Sequence, residues 1–428
     1  MTAVLSSPVA SPFVPGYIPA LADVVGADER VPLLDGSSVR YANFDYAASA
    51  PALRSVADRL LDALPQYASV HRGAGALSQI TTHRYEQARE RIRRFVRARA
   101  DDHVVFTRNT TDSINLLAHC LGKRGDVVVL DIEHHANLLP WQCLSGTRLV
   151  TACSTVEDTL AALDAELASK PAALLAITAA SNVTGEVLPI SRLASIAHRH
   201  GARILVDAAQ LVAHQPISVV SHGIDYLVFS GHKLYAPFGA GVLVGRGDWL
   251  DEASPYLAGG GASAEVASGG SAQWHTGPAR HEAGSPNVLG AVSIADACES
   301  LSTIGFEAIG YHEHTLRERL DAGLAAIDEV RPLRIFSDST GRVGIAGFAV
   351  DGLSARTVAC YLSDHHGIGV RDGRFCAHPL LTRLGYPDGA VRASFGLGTA
   401  ADDIDRLLNA LSELVSRRDT ARVKESLG

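Results

Sequence analysis

Between residues 103 and 244, six short and almost wholly apolar runs alternate with longer, polar-faced segments. The runs are His103–Thr107 (HVVFT), Asp126–Leu130 (DVVVL), Ala173–Thr178 (ALLAIT), Arg203–Val206 (RILV), Tyr226–Phe229 (YLVF) and Gly241–Val244 (GVLV). A strand apolar on both faces must be covered on both faces. Segments of helical spacing, notably Thr111–Leu121 and Ser191–His200, separate several of the runs. The pattern predicts a mainly parallel sheet packed between helices over about residues 50–300.

Flanking segments fill out that plan. Helical spacing marks 54–64 and the highly charged 84–98, whose apolar positions are Ile92, Phe95 and Val96. Gly259–Gly261 and Ser268–Ser271 form a Gly/Ser-rich connection too short for a domain linker. Beyond Leu301 the texture changes to helix (His312–Ile327), strand (Val343–Val350), helix (Ser354–His365), strand (Gly367–Val370) and terminal helix (Ala401–Val415), a smaller α+β domain. The expected division is an arm over 1–40, a large α/β domain over 41–305 and a small domain over 306–428 with part of the arm packed on it.

Composition narrows the function classes. A chain of 428 residues, 47% hydrophobic and 20% charged, buries a core without staples and is not a disordered polymer. The net charge of −8, with no Lys/Arg block, excludes a nucleic-acid footprint. No run of 18 apolar residues spans a membrane, and the Pro-rich, base-free start is not a signal peptide. Six cysteines without a C-x-x-C pair read as free thiols in a reducing, cytoplasmic setting, with no metal site.

Chemistry concentrates at strand ends. YLVF runs into Ser230-Gly-His232-Lys233, and RILV runs into Asp207-Ala-Ala-Gln210, 26 residues before the lysine. Open α/β sheets bind ligands at such ends. Singly, Asp207 reads as a helix cap or turn residue and Lys233 as a surface group. Together they match what pyridoxal phosphate needs: a Schiff-base lysine and a carboxylate to keep its ring nitrogen protonated. Arg108-Asn-Thr110-Thr111-Asp112 opens a helix after HVVFT, and reads both as an N-cap by Thr110 or Thr111 and as an anion site. Glu133-His134-His135 follows DVVVL and reads as a ring-stacking imidazole or, with no third ligand at short spacing, as a poor metal site.

The chain resembles the class V aminotransferase superfamily of fold-type I pyridoxal-phosphate enzymes, and within it the group II cysteine desulfurases and selenocysteine lyases. The resembling blocks are NFDYAASAP (43–51), VHRGAGALS (70–78), RNTTDSINL (108–116), EHHANLLPWQ (133–142), SNVTGEVLP (181–189), VDAAQ (206–210), FSGHKLYAPFGAGVL (229–243), HEAGSPN (281–287), RFCAHPLL (374–381) and VRASFGLG (391–398), in family order. The resemblance implies a seven-stranded, mainly parallel sheet, pyridoxal 5′-phosphate as cofactor, and a homodimer with shared active sites. It implies that Lys233 forms the Schiff base, Asp207 pairs with the ring nitrogen, Gln210 bonds the phenolic oxygen and His134 stacks on the ring. Thr110, Thr111, Ser230 and His232 would hold the phosphate, with Ser285 reaching that of the partner subunit. Asn182, Arg371 and Arg392 would bind the amino-acid substrate, Arg392 clamping its carboxylate.

Cys376 points to desulfuration: a cysteine at this place takes sulfur from L-cysteine, leaving L-alanine and a persulfide for a possible acceptor protein. The family commonly reads R-T-G-H-H-C where this chain has Arg371-Asp372-Gly-Arg374-Phe375-Cys376. Phe375 removes a possible acid–base group, while Arg374 could favour the thiolate. The departures keep another class V reaction in view: an aminotransferase, epimerase or C–S lyase acting on a different amino acid. A catalytically silent relative serving as a binding partner is the reading from another class, and Lys233, Asp207 and Arg392 stand against it.

Overall fold

A computed structural model describes residues 18–144 and 146–426. The first seventeen residues, part of the expected arm over 1–40, therefore lie outside the described residues.

The apolar runs become strands of one seven-stranded sheet. They are β1 (His103–Thr107), β2 (Val127–Leu130), β3 (Thr147–Val150), β4 (Leu174–Thr178), β5 (Arg203–Asp207), β6 (Tyr226–Ser230) and β7 (Gly241–Gly245), in the order β1-β7-β6-β5-β4-β2-β3. From β6 across to β3 every pairing is parallel, whereas β7 runs antiparallel to both its neighbours. Every residue of β2, β4, β6 and β7 is buried, as a sheet covered by helices on both faces requires. The seventh strand, β3, is absent from the sequence reading. It lies at the sheet edge with only Val150 buried, so its residues (TRLV) carry no continuous apolar signal.

The expected helix at 84–98 begins earlier and runs Ala76–Phe95. Its buried face is Ser78, Thr81, Tyr85, Ala88, Arg89 and Ile92, at three- and four-residue spacing but largely polar. Arg89 is accommodated there because both its Nη atoms donate to Glu282 at 2.9 Å and the guanidinium lies over Phe106, 4.9 Å from the ring centre.

A second sheet follows: β8 (Val330–Pro332), β9 (Ile345–Val350), β10 (Arg371–Gly373) and β11 (Ala390–Ser394), antiparallel in the order β8-β9-β11-β10. With the helices Phe306–Ala325, Ala355–His366 and Ala401–Ser426 it encloses its own apolar cluster, including Leu320, Phe348, Leu362, Val391 and Leu407. The strand expected at 367–370 shrinks to Ile368–Gly369 and pairs with Ala42–Asn43, outside the four-stranded sheet. The Gly/Ser-rich connection folds into a hairpin of Ser263–Val266 and Ala272–Trp274.

Residues 43–50 run between the two sheets. Ser394 N–H donates to the Phe44 carbonyl at 2.7 Å, and Ala50 N–H to the His232 carbonyl at 2.8 Å. This segment walls one side of the site.

Candidate active site

Parallel strands place their last residues in a row. Thr178 and Asp207 are register partners at the ends of β4 and β5, and Ser230 ends β6 just before the tight Gly231–Lys233 turn. A cavity of about 260 Å³ opens over these ends and is lined by both sheets.

On one side the Thr110–Leu121 helix presents its N-terminus. The cap is Asn109, whose side chain accepts from Asp112 N–H at 3.0 Å, not Thr110 or Thr111 as the sequence suggested. Asn109 has the extended backbone of a cap residue, which frees the two hydroxyls. Thr110 N–H donates to Ser230 Oγ at 2.7 Å, and the two hydroxyls meet at 2.6 Å, while Thr111 stays exposed. Three hydroxyls gathered at a helix start make an anion cradle. Gly241 permits it: a Cβ there would stand 2.5 Å from Asn109 Cα.

On the cavity floor, burial pushes the Lys233 ammonium down to about 8; Asp207 opposes the shift and Arg392 adds to it. Burial raises Asp207, against the Ala209 N–H bond (2.9 Å) and the Lys233 charge. Gln210 Nε2 donates to the Ala47 carbonyl at 2.8 Å, fixing its amide at the cavity wall. Burial and the neighbouring Lys233 take His134 down to about 3, so the ring is neutral. Ala136 N–H donates to its Nδ1 at 3.0 Å, which leaves the proton on Nε2. His232 is likewise lowered, chiefly by burial. Under this loop Glu133 is buried; it accepts from Thr178 N–H (2.9 Å) and Asn137 Nδ2 (2.7 Å), yet burial lifts it to about 8.

The opposite wall comes from the second sheet. Arg392, only 4% exposed, donates from Nη1 to the Asn182 carbonyl (2.9 Å) and from Nη2 to Asp45 Oδ1 (3.0 Å). Its buried Nε has no partner. The guanidinium lies 5.2 Å from the centre of the Phe375 ring. Phe375 and Cys376 are consecutive left-handed residues, at φ +52° and +54°. Such backbone costs roughly 1–2 kcal/mol per residue. Three bonds offset it: Asn182 Nδ2 to the Phe375 carbonyl (2.7 Å), His135 N–H to the Cys376 carbonyl (2.8 Å) and Ala377 N–H to the Arg374 carbonyl (2.9 Å). The result is an exposed thiol that lines the same cavity as Lys233 and Arg392.

The family model for class V aminotransferases matches residues 42–407. The chain belongs to the class V aminotransferase family. A protein of Dickeya dadantii (strain 3937) named cysteine desulfurase is 38% identical over 392 residues, covering 89% of this chain and 93% of the relative. One of the same name from Escherichia coli (strain K12 / DH10B) is 35% identical over 402 residues, 92% and 98% of the two chains. Among solved structures, an apo cysteine desulfurase from Thermococcus onnurineus NA1 superposes with a TM-score of 0.82 at 35% identity, covering 88% of this chain and 95% of that one. An Escherichia coli cysteine desulfurase solved in an S-sulfonic acid form gives 0.78 at 33% identity, with the same coverage. The architecture is therefore the fold-type I architecture of this family.

Of the residues that the sequence nominated in this class V chain, Thr110, Thr111, His134, Asn182, Asp207, Gln210, Ser230, His232, Lys233, Arg371, Cys376 and Arg392 all line the cavity. Ser285 is exposed and outside it. The two adjacent histidines diverge: His135 turns to His378, with ring centres 4.5 Å apart. Sequence reasoning gave no site role to Asp45, Asn109 or Thr178, and weighed Glu133 only as a poor metal ligand. Asn109 carries a cap-type signal. Asp45 carries none, because its partner is 347 positions away.

Proposed function

We propose that this chain is a pyridoxal-5′-phosphate-dependent cysteine desulfurase, acting on L-cysteine and leaving L-alanine with a persulfide on Cys376. One observation carries the reading: the exposed Cys376 thiol faces the same cavity as Lys233, Asp207 and Arg392, in a chain whose curated relatives at 35–38% identity bear that name.

The donor set fits the cofactor. Thr110, Thr111, Ser230 and His232 would hold the phosphate, Asp207 would pair with the ring nitrogen, Gln210 with the phenolic oxygen, and the neutral His134 would pack on the ring. When bound, the cofactor supplies a sink for the electron pair that Cα keeps on losing its proton. Lys233, with an amine that is half neutral near pH 8, carries the cofactor and moves the Cα proton. Arg392 takes the substrate carboxylate, with Asn182 holding the guanidinium and Arg371 at the cavity mouth. The Cys376 thiolate attacks the substrate sulfur. The carbon–sulfur bond breaks with its electron pair going to Cβ, which takes a proton from solvent to become the methyl of alanine, and the sulfur–sulfur bond that forms leaves the transferred sulfur oxidised. Arg392 and Lys233 both stand near enough to the Cys376 sulfur to interact with it electrostatically.

Finer assignments belong to the same reading. The chain works as a homodimer with shared sites, Ser285 serving the partner's phosphate; exposed Leu61, Leu64, Tyr67 and Leu77 beside the 70–78 block support this. A sulfur-acceptor protein takes the persulfide, and six free thiols support a cytoplasmic setting. Among the described residues no single helix is long and apolar enough to cross a membrane. The domain division at about residue 305 is supported by the second sheet and its own apolar cluster, and the packing of the arm by the bonds from Leu21 and Ala22 to the Leu397 carbonyl.

The test is to incubate the cofactor-loaded protein with L-cysteine and a reductant, with Cys376→Ala alongside. Equal amounts of alanine and sulfide, lost in the variant, are the expected result. A keto acid, an inverted centre or pyruvate in place of alanine would overturn the desulfurase reading and leave the family assignment standing.

A further inference from the structure

Arg392 carries a carboxylate of its own. Asp45 belongs to the block NFDYAASAP, and its backbone is bridged to Ser394, two residues along β11 from the arginine. The alignment is fixed from several sides: Ser394 N–H to the Phe44 carbonyl at 2.7 Å, Ala47 N–H to Ser394 Oγ at 2.9 Å, and Asp45 N–H to Asn43 Oδ1 at 2.9 Å. The ion pair at 3.0 Å is thus set by strand register, unlike a surface pair between two free side chains. Asp45 keeps 28% side-chain exposure, so its carboxylate stays in contact with water. The other titratable groups around this guanidinium are Arg371, its register partner on β10, and Lys233 and Cys376 across the cavity.

We propose that Asp45 is a positioning residue that competes with the amino-acid carboxylate for the Arg392 guanidinium and thereby speeds release of the product amino acid. The proposal rests on Arg392 being the carboxylate clamp. An arriving α-carboxylate must share the guanidinium with Asp45 or displace it from Nη2. A departing one leaves behind a guanidinium that Asp45 already pairs, so no uncompensated buried charge opposes departure. Recognition is weakened for α-carboxylates and untouched for ligands that lack the carboxylate charge.

The test is an absorbance titration of the cofactor-loaded protein with L-alanine and with L-alaninamide, together with the L-alanine dissociation rate by stopped-flow dilution. Asp45→Asn and Asp45→Ser both remove the charge, and either suffices if the other folds poorly; Asp45→Glu keeps it. The neutral variants should bind L-alanine about three- to fivefold more tightly and release it more slowly by a similar factor, with L-alaninamide unchanged. Asp45→Glu should stay near wild type. L-alanine binding that is unchanged or weaker in the neutral variants overturns the proposal, and so does equal tightening of L-alaninamide. A wild-type protein that responds to L-alaninamide but not to L-alanine overturns the clamp assignment itself.

Discussion

The main-chain N–H of His135 donates to the carbonyl of Cys376 at 2.8 Å, tying the loop that carries the cavity imidazole to the loop that carries the thiol. The first loop hangs from the large sheet and the second from the small one. The thiol is therefore held at a fixed place relative to His134, although 242 positions of chain separate them. Asn182 adds a second tie, through its amide to the Phe375 carbonyl and through its own carbonyl to Arg392.

Replacing Cys376 by Ala should abolish alanine and sulfide formation while leaving cofactor affinity and visible absorbance unchanged. The thiol reaches the cavity but makes none of the bonds that hold the anion cradle or Asp207. Product assays beside an absorbance spectrum check both halves.

Lys233 should govern cofactor uptake with a defined pH dependence. Only the neutral amine attacks an aldehyde, and burial sets the amine near 8. The rate of uptake by cofactor-free protein should rise with pH up to about 8 and flatten above it. Lys233→Ala should give no visible absorbance at any pH. Stopped-flow absorbance from pH 6 to 9 reads the profile.

Glu133 should cost stability as pH rises. Its folded-state value near 8 lies above that of a free carboxyl, so between about pH 4.5 and 8 the folded chain holds a proton that the unfolded chain has released. Stability from this group thus falls with increasing pH across that window. Glu133→Gln, neutral at all pH, should gain on wild type by on the order of 1–3 kcal/mol between pH 5 and pH 8. Denaturant unfolding of both proteins at the two pH values measures the difference.

Gly241→Ala should loosen the anion cradle. Its Cβ would stand 2.5 Å from Asn109 Cα and carbonyl carbon, backbone atoms that cannot turn aside. Relief moves the helix start away from Ser230, and overpacking of this kind costs about 1–3 kcal/mol. Cofactor affinity, followed by fluorescence titration, should weaken by about tenfold or more.

Sequence and structure diverge where the signal was polar or remote. The edge strand β3 and the first turns of the Ala76–Phe95 helix, which bury Ser78 and Thr81, lack the apolar periodicity on which sequence reasoning relies. β10 and β11 carry arginines because they wall the cavity, so RDG and AVRAS do not read as strands.

The sequence by itself determined the parallel core, through runs that can be buried only between two helical layers. It also determined the chemical set of Lys233, Asp207, Arg392 and Cys376, since strand ends and motif order place reactive side chains at one edge of a sheet. Only the tertiary structure decided how that set is held: Asn109 as the cap, Glu133 beneath the imidazole loop, two left-handed residues presenting the thiol, and Asp45 on the arginine. Those are contacts between segments that meet only when two sheets pack. Local propensity is silent on them, because each depends on a partner that the neighbouring residues do not specify.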